Sequence, residues 1–215
     1  DIRQPAPAPR EISALAELLK SAKRPLVVCG GGVLYSQGGS EALKSFVDKH
    51  GLPIGETHAG KSALAWNHPL NAGAIGVTGS PAANALASEA DLVIAVGSRL
   101  QDFTTGSHSL FAQAKLVSIN VNTFDVIKWH GTSVQADAAQ ALAALSAALG
   151  DWSADAGWQD ESRHRCAEWQ RAMGEIVVSS RAALPTYAEV IGAVQASSPD
   201  STTQDISVCA AGTLP

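Results

Sequence analysis

PLVVCGGG (25–32) is an apolar run that breaks off at three glycines, and nothing in it alternates. Two later runs behave alike. Asp91-LVIAV stops at Gly97-Ser98-Arg99, and Lys115-LVSI stops at Asn120-Val121-Asn122. Near-continuous apolarity suits strands buried on both faces of a parallel sheet. Helical stretches separate the runs, so the chain reads β-α-β-α. The predicted fold is α/β, a doubly wound, mainly parallel, Rossmann-like sheet. In such sheets ligands bind outside the carboxyl ends of the strands, where GGG, GSR and NVN fall.

Working outward from these strands, residues 1–9 (DIRQPAPAP) read as an extended, Pro-rich linker. Ile12, Leu15 and Leu19 share a helical face. Ser40 is predicted to cap a helix with Leu43, Phe46 and Val47 inward, stopped by Gly51. The segment 52–79 reads as loops holding one short strand around Pro53-Ile54. Ser80-Pro81 is a cap followed by proline at the first helical position. Asp137 and Gln140 form a capping-box pattern opening a helix over 138–149, and Gly150 stops it. These bounds set a core domain at 10–150. An interdomain helical linker follows at 151–185, where Trp158, Cys166, Trp169, Met173 and Ile176 fall along one side of a long helix. From 186 to 215 the start of a second α/β domain is expected. Thr186 and Glu189 open a helix with Val190, Ile191 and Val194 inward, and Ile206–Ala210 reads as a strand without sheet partners. The chain therefore reads as a piece of a longer protein.

The 215 residues are 46% hydrophobic and 16% charged, enough apolar material for a real core. A net charge of −5 argues against nucleic acid, whose phosphates need clustered Lys and Arg. The basic cluster Lys20, Lys23 and Arg24 sits where a helix ends and complements its dipole. There is no signal peptide and no apolar run of ~18 residues, so no membrane segment is expected and the cytoplasm is the default. Cys29, Cys166 and Cys209 imply neither a disulfide framework nor a zinc site. His50, His58, His68, His108, His130 and His164 lack metal-ligand spacing, and no G-x-S-x-G elbow is present. Neither a metal site nor a catalytic set is expected.

Gly55-ETHA-Gly60-Lys61-Ser62 matches the phosphate-loop pattern, in which the lysine meets phosphate and the hydroxyl meets magnesium. The strand before it is short, Pro69 closes off a following helix, and neither later strand ends in Asp to hold magnesium. The match reads as chance; the alternatives are an ATPase using Lys61 and Ser62, or a stand-alone nucleotide-binding regulatory module using Arg99 and the glycine turn. Gly30, Gly31 and Gly32 resemble a dinucleotide turn, but Tyr35 stands at the third glycine and no acid is expected at the end of the next strand. Arg99 is placed either to pair with a phosphate or to bridge to Asp102. Asp137 reads as a helix cap before a ligand contact.

The order KRPLVVCGGGV, THAGKSAL-x-x-NHP, ADLVIAVGSRLQDF and a strand ending NVN resembles the central domain of thiamine-diphosphate-dependent enzymes, over about residues 10–150. That superfamily includes acetohydroxyacid synthase, and its members typically show RPV-x-x-x-GGG, T-x-x-GK, DHP and a strand ending in IDxD. GVTGSPAANALASEADLVIAVGSRLQDFTTGS, the TYAEVIGAV helix and VCAAGTLP are similar to one branch, hydrolases that open a cyclic diketone in myo-inositol breakdown.

The resemblance implies three domains in an oligomeric parent that uses thiamine diphosphate and Mg2+. Both would be held by N- and C-terminal domains that flank this one. Gly212, Thr213 and Leu214 would lie near that cofactor. Some relatives hold FAD or ADP in the middle domain, at positions matching Gly30, Gly31, Gly32, Arg99, Asn120, Asn122 and Asp137. Two family carboxylates are asparagines here, Asn120 and Asn122, and lack the charge-assisted strength of an acid. The expectation is a scaffold without FAD, inactive alone, serving architecture and assembly.

Overall fold

The computed structural model describes residues 4–178, 180 and 184–197. Two compact units divide the chain, Asp1–Trp169 and Gln170–Pro215. The first holds a six-stranded, all-parallel sheet in the order β3-β2-β1-β4-β5-β6. Its strands are β1 (Pro25–Cys29), β2 (Ile54–Glu56), β3 (Asn71–Ala74), β4 (Leu92–Val96), β5 (Lys115–Asn120) and β6 (Thr132–Gln135). This is the doubly wound order, and its direction reverses between β1 and β4.

The three apolar runs are the three central strands. All of β1 and β4 is buried, because helices cover both faces. Each such Val, Leu or Ile contributes about 1.5–3 kcal/mol over an exposed one. The helices of this unit are α1 (Pro9–Ser21), α2 (Gly31–Tyr35), α3 (Gly39–His50), α4 (Pro81–Glu89), α5 (Asp102–Thr105), α6 (Phe124–Ile127) and α7 (Ala138–Leu149). α7 packs on α1 and on α3, while α4 packs beside β3. Ile12, Leu15 and Leu19 of α1 and Leu43, Phe46 and Val47 of α3 are buried as their spacing requires.

Ser80 caps α4, its hydroxyl accepting from the Ala83 N–H at 2.9 Å. Asp137 caps α7 by accepting from the Gln140 N–H at 3.2 Å. The α3 start is a correction. Its cap is Gly38, left-handed at φ 71°, whose carbonyl accepts from the Ala42 N–H at 3.0 Å. Ser40 therefore lies inside the first turn. Gly51 ends the helix at φ 64°, a conformation that glycine reaches without a Cβ penalty.

Two tertiary ties fix the amino edge. The Asp91 carboxylate accepts from the N–H groups of Lys23 and Arg24 at 2.8 and 2.9 Å, seating β1 beside β4. α8 (Ala156–Ile176) sends Trp158 into the core, where its indole N–H donates to the Pro25 carbonyl at 2.9 Å. Trp158, Ser162 and Cys166 are its buried residues. In the second unit α9 (Tyr187–Ser197) opens with a reciprocal capping box between Thr186 and Glu189. Val190, Ile191 and Val194 are exposed rather than inward, since no covering layer lies among the described residues of that unit. The predicted strand Ile206–Ala210 lies outside the described residues.

Candidate functional site

At the carboxyl edge, where the winding reverses, the exits of β1, β2 and β4 enclose a cleft of about 530 Å³. Gly31, Gly32, Arg99 and Asn120 line it, and so do His58 and Phe103. Four of the seven candidate nucleotide contacts therefore meet at one place. Gly30, Asn122 and Asp137 do not line it.

The glycine turn is a packing seam. The Gly30 N–H donates to the Val96 carbonyl at 2.8 Å, and the Gly32 N–H to the Gly97 carbonyl at 2.9 Å. A Cβ on Gly32 would sit 2.6 Å from the Gly97 Cα, and one on Gly30 would sit 2.3 Å from the Gly97 oxygen. Two backbones touch here, so side chains are excluded. The Gly30 and Gly32 amides are thus engaged within the protein, and α2 has only 5 residues.

Asn120, Asn122 and Asp137 are engaged as well. Asn120 donates to the Ser98 carbonyl at 3.1 Å and accepts from the Asn122 N–H at 3.3 Å. Asn122 accepts from the Phe124 N–H at 2.9 Å. Asp137 holds the Ser36 hydroxyl at 2.8 Å in addition to its cap. These three side chains thus each hold backbone or hydroxyl groups of the protein itself.

An acid does end the strand next to β1, contrary to the sequence expectation. It is Glu56, and it was missed because β2 is only 3 residues long. Glu56 is buried, does not line the cleft, and leaves Oε1 without a hydrogen-bond partner among the described residues. Burial raises its carboxyl above the usual range, while the Leu64 N–H, the Asn71 amide, the Ser62 N–H and the Lys61 charge act the other way. It holds the turn after Gly60 and is not placed to grip a ribose.

The phosphate-loop match also lacks its frame. No helix follows Lys61, and Ser62 is left-handed at φ 72°. Gly60 packs against β1, where a Cβ would lie 2.3 Å from the Cys29 carbonyl oxygen.

Arg99 is exposed and makes no ion pair with Asp102 or any other described residue. Sequence reasoning missed how it is held. The carbonyls of Ser98, Arg99 and Leu100 accept in turn from Asn120 Nδ2 at 3.1 Å, Lys128 Nζ at 3.4 Å and Trp129 Nε1 at 3.2 Å. Leu100 is left-handed at φ 48° and fully buried, a costly state for a side-chain-bearing residue. His58 meets Phe103 with ring centroids 5.2 Å apart, forming one wall.

Burial pushes the Cys29 thiol to about 12 and the Cys166 thiol to about 11, so neither is a nucleophile. No group of three metal-ligating side chains occurs among the described residues. Gly212, Thr213 and Leu214 lie outside the described residues. No helix among the described residues is long and apolar enough to cross a membrane.

A parallel sheet wound in this order, with a glycine seam and a GSR exit at its switch point, defines a nucleotide-fold domain. The chain belongs to the family described as the central domain of thiamine pyrophosphate enzymes, which matches residues 12–145. Among curated proteins it is similar to 3D-(3,5/4)-trihydroxycyclohexane-1,2-dione hydrolase of Geobacillus thermodenitrificans, 39% identical over 202 residues, covering 89% of this chain and 32% of the relative. The hydrolase of the same name from Clostridium tetani is 40% identical over 177 residues, covering 81% of this chain and 27% of the relative. A Bacillus cereus protein named 3D-(3,5/4)-trihydroxycyclohexane-1,2-dione hydrolase 2 is 45% identical over 146 residues, covering 67% and 22%. The chain thus spans a third or less of the length of these relatives.

Proposed function

We propose that this chain is the middle domain of a thiamine-diphosphate-dependent hydrolase. The parent would open trihydroxycyclohexane-1,2-dione to 5-deoxyglucuronate in myo-inositol breakdown. One observation supports the reading: similarity to the Geobacillus thermodenitrificans hydrolase extends over 202 residues, well past the segment 12–145 common to the wider family. When bound, the thiazolium ring supplies an electron sink for breaking the C–C bond beside a ketone. No residue among those described acts as acid or base in that step. The domain's own part is architectural: 10–150 as the folded middle, 151–185 as a helical connection and 186–215 as the start of a diphosphate-binding domain. Mg2+, homo-oligomeric assembly and a cytoplasmic location belong to the same reading, as does the absence of FAD and ADP.

Domain exchange tests it. Residues 12–145 replace the matching segment of the Clostridium tetani relative, and ring opening is assayed with thiamine diphosphate and Mg2+. Activity within about tenfold of the parent, a barrier change of about 1.4 kcal/mol, is expected. A folded chimera without activity would count against the reading.

A further inference from the structure

We propose that the carboxyl-edge cleft recognises a small polyhydroxylated carboxylate, of the sugar-acid class, through Arg99. The choice of acid rests on the hydrolase reading: hydrolysis of a C–C bond beside a ketone turns that carbon into a carboxylate, water giving it oxygen and the other carbon hydrogen. The site itself rests on the cleft.

Three observations point to it. The first is the guanidinium. Arg99 lines the cleft without an ion pair among the described residues, although Asp102 is three positions away. A planar fork of donors matches a carboxylate in a bidentate manner.

The second is the mounting. Three successive carbonyls are held by Asn120, Lys128 and Trp129, and the third of these residues, Leu100, is left-handed. Backbone held this firmly in a costly conformation is found where a side chain must be aimed. An arginine serving only solubility needs no such mounting.

The third is the rest of the lining. Gln101 and Thr104 offer amide and hydroxyl groups, while Tyr35 and the His58–Phe103 pair offer aromatic faces. Hydroxyl partners beside a flat apolar wall suit a polyol, whose C–H faces are apolar and whose edges are polar. Of the groups a nucleotide would use here, the Gly32 amide is bonded to Gly97 and both asparagines are bonded to backbone. A small acid needs none of them.

The test is an NMR titration of the 215-residue chain with D-glucuronate, alongside myo-inositol as a neutral polyol and ADP as a nucleotide. Saturable shifts around 97–104 with glucuronate are expected, with none for myo-inositol. Arg99→Gln should weaken binding about tenfold or more, and Arg99→Lys less, because a point charge replaces the fork. Arg99 is exposed, so unchanged spectra elsewhere verify that the variants fold. Absence of saturable shifts, equal binding by myo-inositol, indifference to Arg99→Gln, or tighter binding of ADP would each overturn the proposal. A chimera that fails to open the ring while glucuronate still binds sinks the hydrolase reading and leaves the carboxylate site standing.

Discussion

His50 shows how one side chain sets a pH response without touching the cleft. It is fully buried at the end of α3. Its Nδ1–H donates to the Trp152 carbonyl at 2.6 Å, and Nε2 accepts from the Ser146 hydroxyl at 2.9 Å. Burial lowers its pKa below the usual 6.5, outweighing the Trp152 bond, and Lys49 adds to the lowering. The unfolded chain therefore takes up a proton that folded His50 refuses. Stability from this group is complete above about pH 6.5 and declines as pH falls below it. Glu56, with a raised pKa, acts in the opposite sense: its contribution is present below 4.5 and is lost as pH rises. Urea midpoints between pH 7.5 and 5.5 should fall more for the native chain than for His50→Gln, and Glu56 cancels from that difference. The variant itself should cost about 1–3 kcal/mol at neutral pH, since a carbonyl and a hydroxyl lose their partner. Parallel slopes would refute the assignment.

At the scale of elements, Asp137 decides between two jobs. As a cap it joins the Gln140 N–H, the Ser36 hydroxyl and the start of α7. Asp137→Ala should cost about 2 kcal/mol, and Asp137→Ser should recover part of it, because serine also caps. A thermal melt checks both; an unchanged melt for Asp137→Ala would remove the capping role. This cap was legible in sequence, as were β1, β4 and β5, because strands buried on both faces leave unbroken apolar runs. β3 (NAGA) and β6 (TSVQ) were not. They are short edge strands with one ordered neighbour each, and nothing requires their residues to be apolar. The position of Arg99 at a strand exit was legible, but its mounting was not. Asn120, Lys128 and Trp129 reach it from 22 to 29 residues away, a separation no local pattern records.

For the whole molecule, the core of the first unit closes on itself once Trp158 and Cys166 are included. A fragment spanning 4–169 should unfold cooperatively in urea with the midpoint of the full chain. A broad, non-cooperative transition would show that the first unit depends on residues 170–215 for its stability. The contact between Gly32 and Gly97 ties the exits of β1 and β4 together. A Cβ at either position would lie 2.6 Å from the Cα of the other, so a side chain at one glycine has to part both strand exits. Neither position therefore tolerates replacement on its own, and the seam works as a single hinge pin with two halves.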